Sequence, residues 1–329
     1  MTSILKSILL ATFVITLPSV KALADVTSQQ VWDGLRTAMV ASGFKLRASE
    51  TRNGTRLTIG DLQINKRFQD PGSDASGTIS LSVSSLQFLD KGNGKVNIVF
   101  PEKIPVILRS NSPNDGAFEM QLNLTQRNLV ITASGKPDEL RHDYAAETVG
   151  LNLGKFVLDG TEVPGTDVLA ELDIHDITGT SIRALRTDRN YTQNLSIGRM
   201  SYQGSMSIPS AAETRYNFSG QTTGLEFTGT TALPVILNWS DPLAVLTAGA
   251  SFDADWRYDR AEGDMSSVEG GEKFQQSSEI TAGSGRLALD KQRLLYKTKS
   301  AQSNLFLVMD ALPFPISLSL AKAAANVLL

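Results

Sequence analysis

The chain offers little raw material for chemistry: two histidines and no cysteine. His175 stands in Asp173-Ile-His-Asp176, where Asp173 and His175 fall on one face of an extended strand, the least that a carboxylate–imidazole acid/base pair requires. With Asp176 beside them, these three are the candidate hydrolytic cluster. His142 sits in Arg141-His-Asp143, the setting of a surface or strand-end residue. Asp253 and Asp255 project from one strand face with Asp259 four positions on, but the glycine and closing glutamate of a calcium loop are missing. Two histidines without a thiolate do not fill a zinc site, and no nucleophile elbow, zincin helix or phosphate loop occurs. The sequence therefore implies no catalytic residue, no metal and no cofactor.

Met1 to Ala24 has the plan of a secretory leader. Lys6 gives the basic start, Ile8 to Leu17 an apolar run too short to span a bilayer, Pro18 a helix stop, and Ala22-Leu-Ala24 a small-residue cleavage site. Cleavage after Ala24 predicts a periplasmic protein. It also removes Lys6 and Lys21, taking the net charge from -3 to -5, so the chain lacks the basic field that nucleic acid binding needs. Without disulfides, packing alone must hold the fold.

The elements that would position any site are read from period. Over 27–42, Val31, Leu35 and Met39 recur at near-helical spacing with Trp32 beside them, Thr27 or Ser28 caps the start and Gly43 ends it. This helix reads as a plug or lid on a sheet. From 44 to 310 the period becomes two, punctuated by Asn53-Gly54, Lys91-Gly-Asn-Gly94 and similar turn signals, which predicts a long antiparallel meander within a single domain over 25–329. Tyr216 and Phe218 share one face, as do Leu225 and Phe227, and Gly220 with Gly224 reads as a turn between two strands. Leu140–Tyr144 and Thr148–Leu158 read as another pair, Leu129–Ala133 as pairing back on the strand before it, and polar Ala261–Gly271 as a mobile stretch. Pro101 and Pro105 confine Val106–Ser110 to an edge or bulge. Pro313 and Pro315 stop the sheet, and 316–329 reads as an apolar helix that is buried or touches a membrane. Its uncapped end at Val327-Leu-Leu329 suggests a sequence that stops before its architecture does. The fold class is thus mainly β, a curved or folded-over sheet flanked by an N-terminal and a C-terminal helix.

Asp25-Val-Thr-Ser-Gln-Gln-Val-Trp-Asp33, Leu140-Arg-His-Asp-Tyr144, Leu158-Asp-Gly-Thr-Glu-Val-Pro164 and Leu312-Pro-Phe-Pro-Ile-Ser-Leu318 resemble a family of exported alphaproteobacterial proteins known as domain of unknown function 2125. The resemblance covers most of the chain after the leader and carries no catalytic residues. The long meander is similar in style to AsmA-like envelope proteins, whose folded-over sheets hold acyl chains in a groove. Two terminal helices are too few to cover so many strands, so an apolar concave face is expected, lined by Phe118, Met120, Leu122, Leu124, Tyr216, Phe218, Leu225 and Phe227. The function this predicts is non-enzymatic binding of a lipid or other apolar ligand, or of an envelope partner. The alternatives are an outer-membrane barrel and a periplasmic hydrolase built on Asp173, His175 and Asp176.

Overall fold

The computed structural model describes residues 26–69, 76–112, 116–165, 167–185, 189–208, 214–234, 242–310 and 314–328. The leader expected over 1–24 lies outside the described residues. Helix α1 (Ser28–Ala41) begins on a capping box: Thr27 accepts from the Gln30 backbone while the Gln30 side chain accepts from Thr27. Eighteen strands follow: β1 (Lys45–Asn53), β2 (Arg56–Gln69), β3 (Ser76–Asp90), β4 (Lys95–Val99), β5 (Lys103–Ser112), β6 (Gly116–Arg127), β7 (Val130–Lys136), β8 (Glu139–Leu158), β9 (Thr161–Val163), β10 (Val168–Leu185), β11 (Arg189–Ile208) and β12 (Thr214–Leu233). After the short helix α2 (Pro242–Thr247) come β13 (Ser251–Glu269), β14 (Glu272–Asp290), β15 (Arg293–Lys299), β16 (Gln302–Met309), β17 (Ile316–Ala321) and β18 (Ala324–Leu328).

All eighteen belong to one antiparallel sheet. The pairs β4/β5, β6/β7, β9/β10, β15/β16 and β17/β18 lie end to end in single rows, because each member pairs with a different half of the same long neighbour. Thirteen rows result, roughly 60 Å across at the usual strand spacing. No ladder joins β1 to β10 or β18 to β2 among the described residues, so the sheet is open, with β1 at one edge and the β17–β18 row at the other.

A crease crosses these rows. The ladders skip one pair at Asp61, between His175 and Ile177 and between Arg260 and Tyr258, and two pairs between Thr223 and Glu226, and resume in unchanged register. Along this line single residues take left-handed backbone: Asp61 (φ 49°), Asn128 (55°), Asp176 (54°), Gly224 (63°), Ala282 (48°) and Lys322 (54°). Each one shifts the alternation by one position. In β2, Leu57 and Ile59 before the crease and Leu62 beyond it all enter the same core. In β12 the apolar series runs Tyr216, Phe218 and then Leu225, Phe227. One face therefore stays apolar along strands of up to 20 residues.

Several sequence readings are corrected by this geometry. Gly220 to Gly224 is no turn, since one strand runs straight through with Gly224 as its left-handed step. Leu140–Tyr144 and Thr148–Leu158 are likewise one strand, β8, and Ala261–Gly271 is mostly β13. β7 does not pair back on β6 but continues its row past Asn128. Val106–Ser110 is interior, between β3 and β6; Pro105 fits because the β3 ladder starts only at Val106. The expected C-terminal helix is absent from 316–328: Ile316, Leu318 and Leu320 pair with β16, and the sheet partner overrides the helix propensity of the Ala-rich stretch. Contact with a membrane through a helix there loses its element.

Ala282 holds a conformation that costs an L-residue about 1–2 kcal/mol. Ala282→Gly is expected to raise stability by about 1 kcal/mol. Gly224→Ala is expected to lower it by about 2 kcal/mol, since the added Cβ meets Asp259 Oδ2 at 2.1 Å in addition to the unfavourable φ. Urea denaturation of the two variants checks both signs.

Candidate functional site, an apolar face beyond the helix

Helix α1 covers one end of the apolar face. Val31 and Trp32, each 1% exposed, pack on Leu57, Ile59, Leu86, Phe88, Val96 and Leu140, with Trp32 and Phe88 rings 5.9 Å apart. Polar contacts fix its pose: Ser28 N donates to Asp90 (2.8 Å), Trp32 Nε1 to Glu50 (2.7 Å), and Arg183 Nη1, from β10, to the Gly34 carbonyl (2.9 Å). Gly34 is the one residue that admits this arginine, because a Cβ there would lie 2.4 Å from Arg183 Nη2. The plug expected from the sequence is thus in place.

Beyond β8 the same face continues without that helix. Register links it: Leu124 to Leu151, Leu151 to Leu172, Leu172 to Tyr202, and Tyr202 to Gly220, two positions from Phe218. On the other side of the crease Ala146, Ile177, Ile197 and Leu225 follow in line, then Phe227 opposite Trp256. All eight predicted lining residues share this face. None is fully buried: Phe118 and Phe218 are 37% and 46% exposed, and the other six are intermediate. They form one surface and not one pocket, since β6 and β12 are four rows apart, about 19 Å, and Leu124 already packs against the core under α1.

The sequence reading missed the residues that shape this surface. Cross-strand partners pair an aromatic with a glycine six times: Phe68 with Gly77, Tyr144 with Gly179, Tyr202 with Gly220, Phe218 with Gly204, Trp256 with Gly285 and Tyr258 with Gly283. In each, a Cβ on the glycine would come within 2.7 Å of the ring, so the ring lies across the bare backbone. The aromatics therefore carpet the face. Tyr202, Met206, Phe218 and Met265, 38–46% exposed, form its most open part, with the Tyr202 and Phe218 rings 6.3 Å apart. Glycine two residues from an aromatic in a strand, as in Tyr202-Gln-Gly204 and Phe218-Ser-Gly220, was the available signal.

The opposite face is more polar, although Val130, Leu169 and Phe306 on it are 39–50% exposed. It carries the ion pairs Arg109–Glu119, Arg141–Asp143, Lys155–Glu162, Arg257–Glu226, Arg260 with Glu262 and Glu279, and Arg286–Asp253. The Arg286 guanidinium holds the Asp253 carboxyl below its usual range. A depression of about 700 Å³ on this side is lined by Glu226, Arg257, Ser284, Arg286, Lys297 and Lys299. Both of its arginines are already engaged by carboxylates. Asp173 and His175 also point to this face, and Asp176 is exposed at the crease. No hydrogen bond or ion pair joins the three among the described residues; His175 Nδ1 instead lies 3.5 Å from Thr148 Oγ1. Among the described residues no group of three or more His, Asp or Glu is arranged to hold a metal ion, and no helix is long and apolar enough to cross a membrane. No family model, curated protein or solved structure matches the chain.

His142 is a titratable side chain on the apolar face, in register with Ala133 and Ser181. Burial, and then the nearby Arg183 charge, hold its imidazole below the ordinary value, with Asp143 opposing. The folded chain then binds fewer protons than the unfolded one just below pH about 6.5, so stability falls as pH drops through that value and levels off once the folded form also protonates. His142→Gln is expected to flatten the stability profile between about pH 5 and 7, read by thermal unfolding. Gly204→Ala, whose Cβ would sit 2.2 Å from Phe218 Cζ, is expected to cost about 1–2 kcal/mol. Most of that loss should vanish in the Phe218→Ala background, a double-mutant cycle that isolates the ring–backbone contact.

Proposed function

We propose that the chain is an exported, non-enzymatic envelope protein that binds a lipid or another apolar ligand on the part of its apolar face that α1 leaves uncovered. One observation carries this: Tyr202, Met206, Phe218 and Met265 stay 38–46% exposed on a continuous apolar surface, while ion pairs of the same rows, Arg257–Glu226, Arg260–Glu262 and Arg286–Asp253, lie on the other face. Soluble monomers seldom leave contiguous apolar patches beyond a few hundred Å² without a use for them. Rings laid over glycines keep the surface shallow and largely apolar, which suits flexible acyl chains better than a shaped, hydrogen-bonding ligand. The leader-like 1–24 and the resemblance to exported proteins agree with this reading.

The test is lipid extraction and native mass spectrometry of the full chain purified without detergent. Phospholipid or fatty acid is expected to copurify. Phe218→Asp should reduce it at least fivefold with little change in thermal midpoint, because Phe218 is already 46% exposed, whereas Ser219→Asp, on the opposite face, should leave it unchanged. A wild-type protein that carries no lipid and takes up no fluorescent fatty acid would overturn the proposal.

A further inference from the structure

Charge is unevenly spread over the face that carries the ion pairs. Glu171, Asp173, Glu262 and Asp264 line one hollow on it, whereas the depression of about 700 Å³ over β12 to β15 and β18 holds Arg257, Arg286, Lys297 and Lys299. Register sets the depression's side chains in two adjoining lines: Glu226, Arg257, Ser284, Lys299, Ala324, and Thr228, Asp255, Arg286, Lys297, Asn326. The carboxylates stand at one end only, where Glu226 pairs with Arg257 and Asp253 with Arg286. At the other end Lys297 lies directly opposite Arg286, like charge against like, which costs stability in a sheet. No carboxylate is opposite or diagonal to Lys297 or Lys299 on either neighbouring strand. Among the described residues neither lysine forms an ion pair, and the side chains of Ser284 and Asn326 beside them make no hydrogen bond.

We infer that this depression binds a phosphomonoester, its phosphate held by Lys297 and Lys299 with Ser284 and Asn326 as further donors. Charge and geometry select that group. The lysines are two positions apart on β15, about 7 Å between Cα atoms, and their long stems let both ammonium groups reach one anion. A phosphomonoester carries nearly two negative charges and three terminal oxygens, so it can accept from both lysines and from a third donor at once. A carboxylate has one charge and two oxygens. The space also exceeds what a phosphate fills, and it admits an ester group of glycerol or sugar size over Ala324 and the arginine stems. An extended polyphosphate is disfavoured, because Glu226, Asp253 and Asp255 repel a second anion at the β12–β13 end. The inference stands apart from lipid binding on the apolar face, since it rests on other residues of the opposite face.

The test is calorimetric titration of the full chain with glycerol 3-phosphate in phosphate-free buffer at physiological ionic strength, with the thermal midpoint as a second readout. Binding should raise the midpoint. Lys297→Gln with Lys299→Gln should weaken it at least tenfold, whereas Lys91→Gln with Lys103→Gln, which removes the same charge elsewhere, should leave it within twofold. Lys297→Glu, which sets opposite charge against Arg286, should abolish binding without lowering the ligand-free midpoint. Phosphatidylcholine vesicles with and without phosphatidate separate two sources of the group. Cosedimentation that needs both phosphatidate and the two lysines assigns the site to a lipid headgroup, and binding of glycerol 3-phosphate alone assigns it to a soluble ester. Binding of neither, equal loss in the two double variants, or a ligand-free midpoint lowered by Lys297→Glu would each overturn the inference.

Discussion

The constraint on which the structure depends is that a strand alternates its side chains between two faces, so any slip of one position moves an apolar series into water. Strands of up to 20 residues must keep their apolar members on one side across a line where the ladders skip pairs. The crease does this with single left-handed residues, at Asp61, Asn128, Asp176, Gly224, Ala282 and Lys322, and the sequence shifts phase at the same places. Backbone and pattern agree row by row. Had the backbone step occurred without the sequence shift, half of every strand would present its serines and carboxylates to the core.

This also explains how a single helix organises so wide a sheet. α1 need bury only the rows from β2 to β8, where Leu57, Ile59, Leu86, Phe88 and Leu140 converge beneath Trp32. Its attachment to β10 is polar and singular, through Arg183 and the Gly34 carbonyl. From β10 onward, order comes from the ladders and from the rings laid across cross-strand glycines. Each of these glycines gives up its own side-chain packing and is compensated by the aromatic opposite. The face is thereby fixed where α1 does not reach.

What was legible in the sequence follows the range of each signal. The cap at Thr27 or Ser28, the plug helix and the Asn53-Gly54 hairpin are local and readable; the structure assigns the cap to Thr27 and moves the turn centre to Gly54 and Thr55. The alternation of Phe118 to Leu124 is local and readable, whereas Tyr216 and Phe218 share a face with Leu225 and Phe227 only because the phase shifts at Gly224. The misreadings share one cause, that a phase shift inside a strand looks like the end of one strand and the start of the next. Gly224 and the Ala145–Glu147 stretch were therefore taken for turns. The final segment failed for the opposite reason. Ala321–Ala325 has local helix propensity, and only the neighbouring β16 and β15 ladders, distant in local pattern, make it strand. His142 was placed at the surface because nothing local shows that Ala133 and Ser181 will flank it on the covered face.

The distribution of burial along the sheet then separates the packed core from the face proposed as a binding surface. Most large residues below 2% exposure, from Trp32 through Phe88 to Leu140, lie in the rows beneath α1 and account for the packed core. Rows β11 to β13 carry side chains of the same chemistry, yet Tyr202, Phe218 and Met265 remain about two-fifths exposed. Stability alone does not require so many rings there, since a polar alternation on the same ladders would remove the cost of wetting them. A face that stays apolar where no part of the described chain covers it is best accounted for by something that does, and the shallow, ring-carpeted surface favours chains of methylene over any ligand that needs hydrogen-bonding partners.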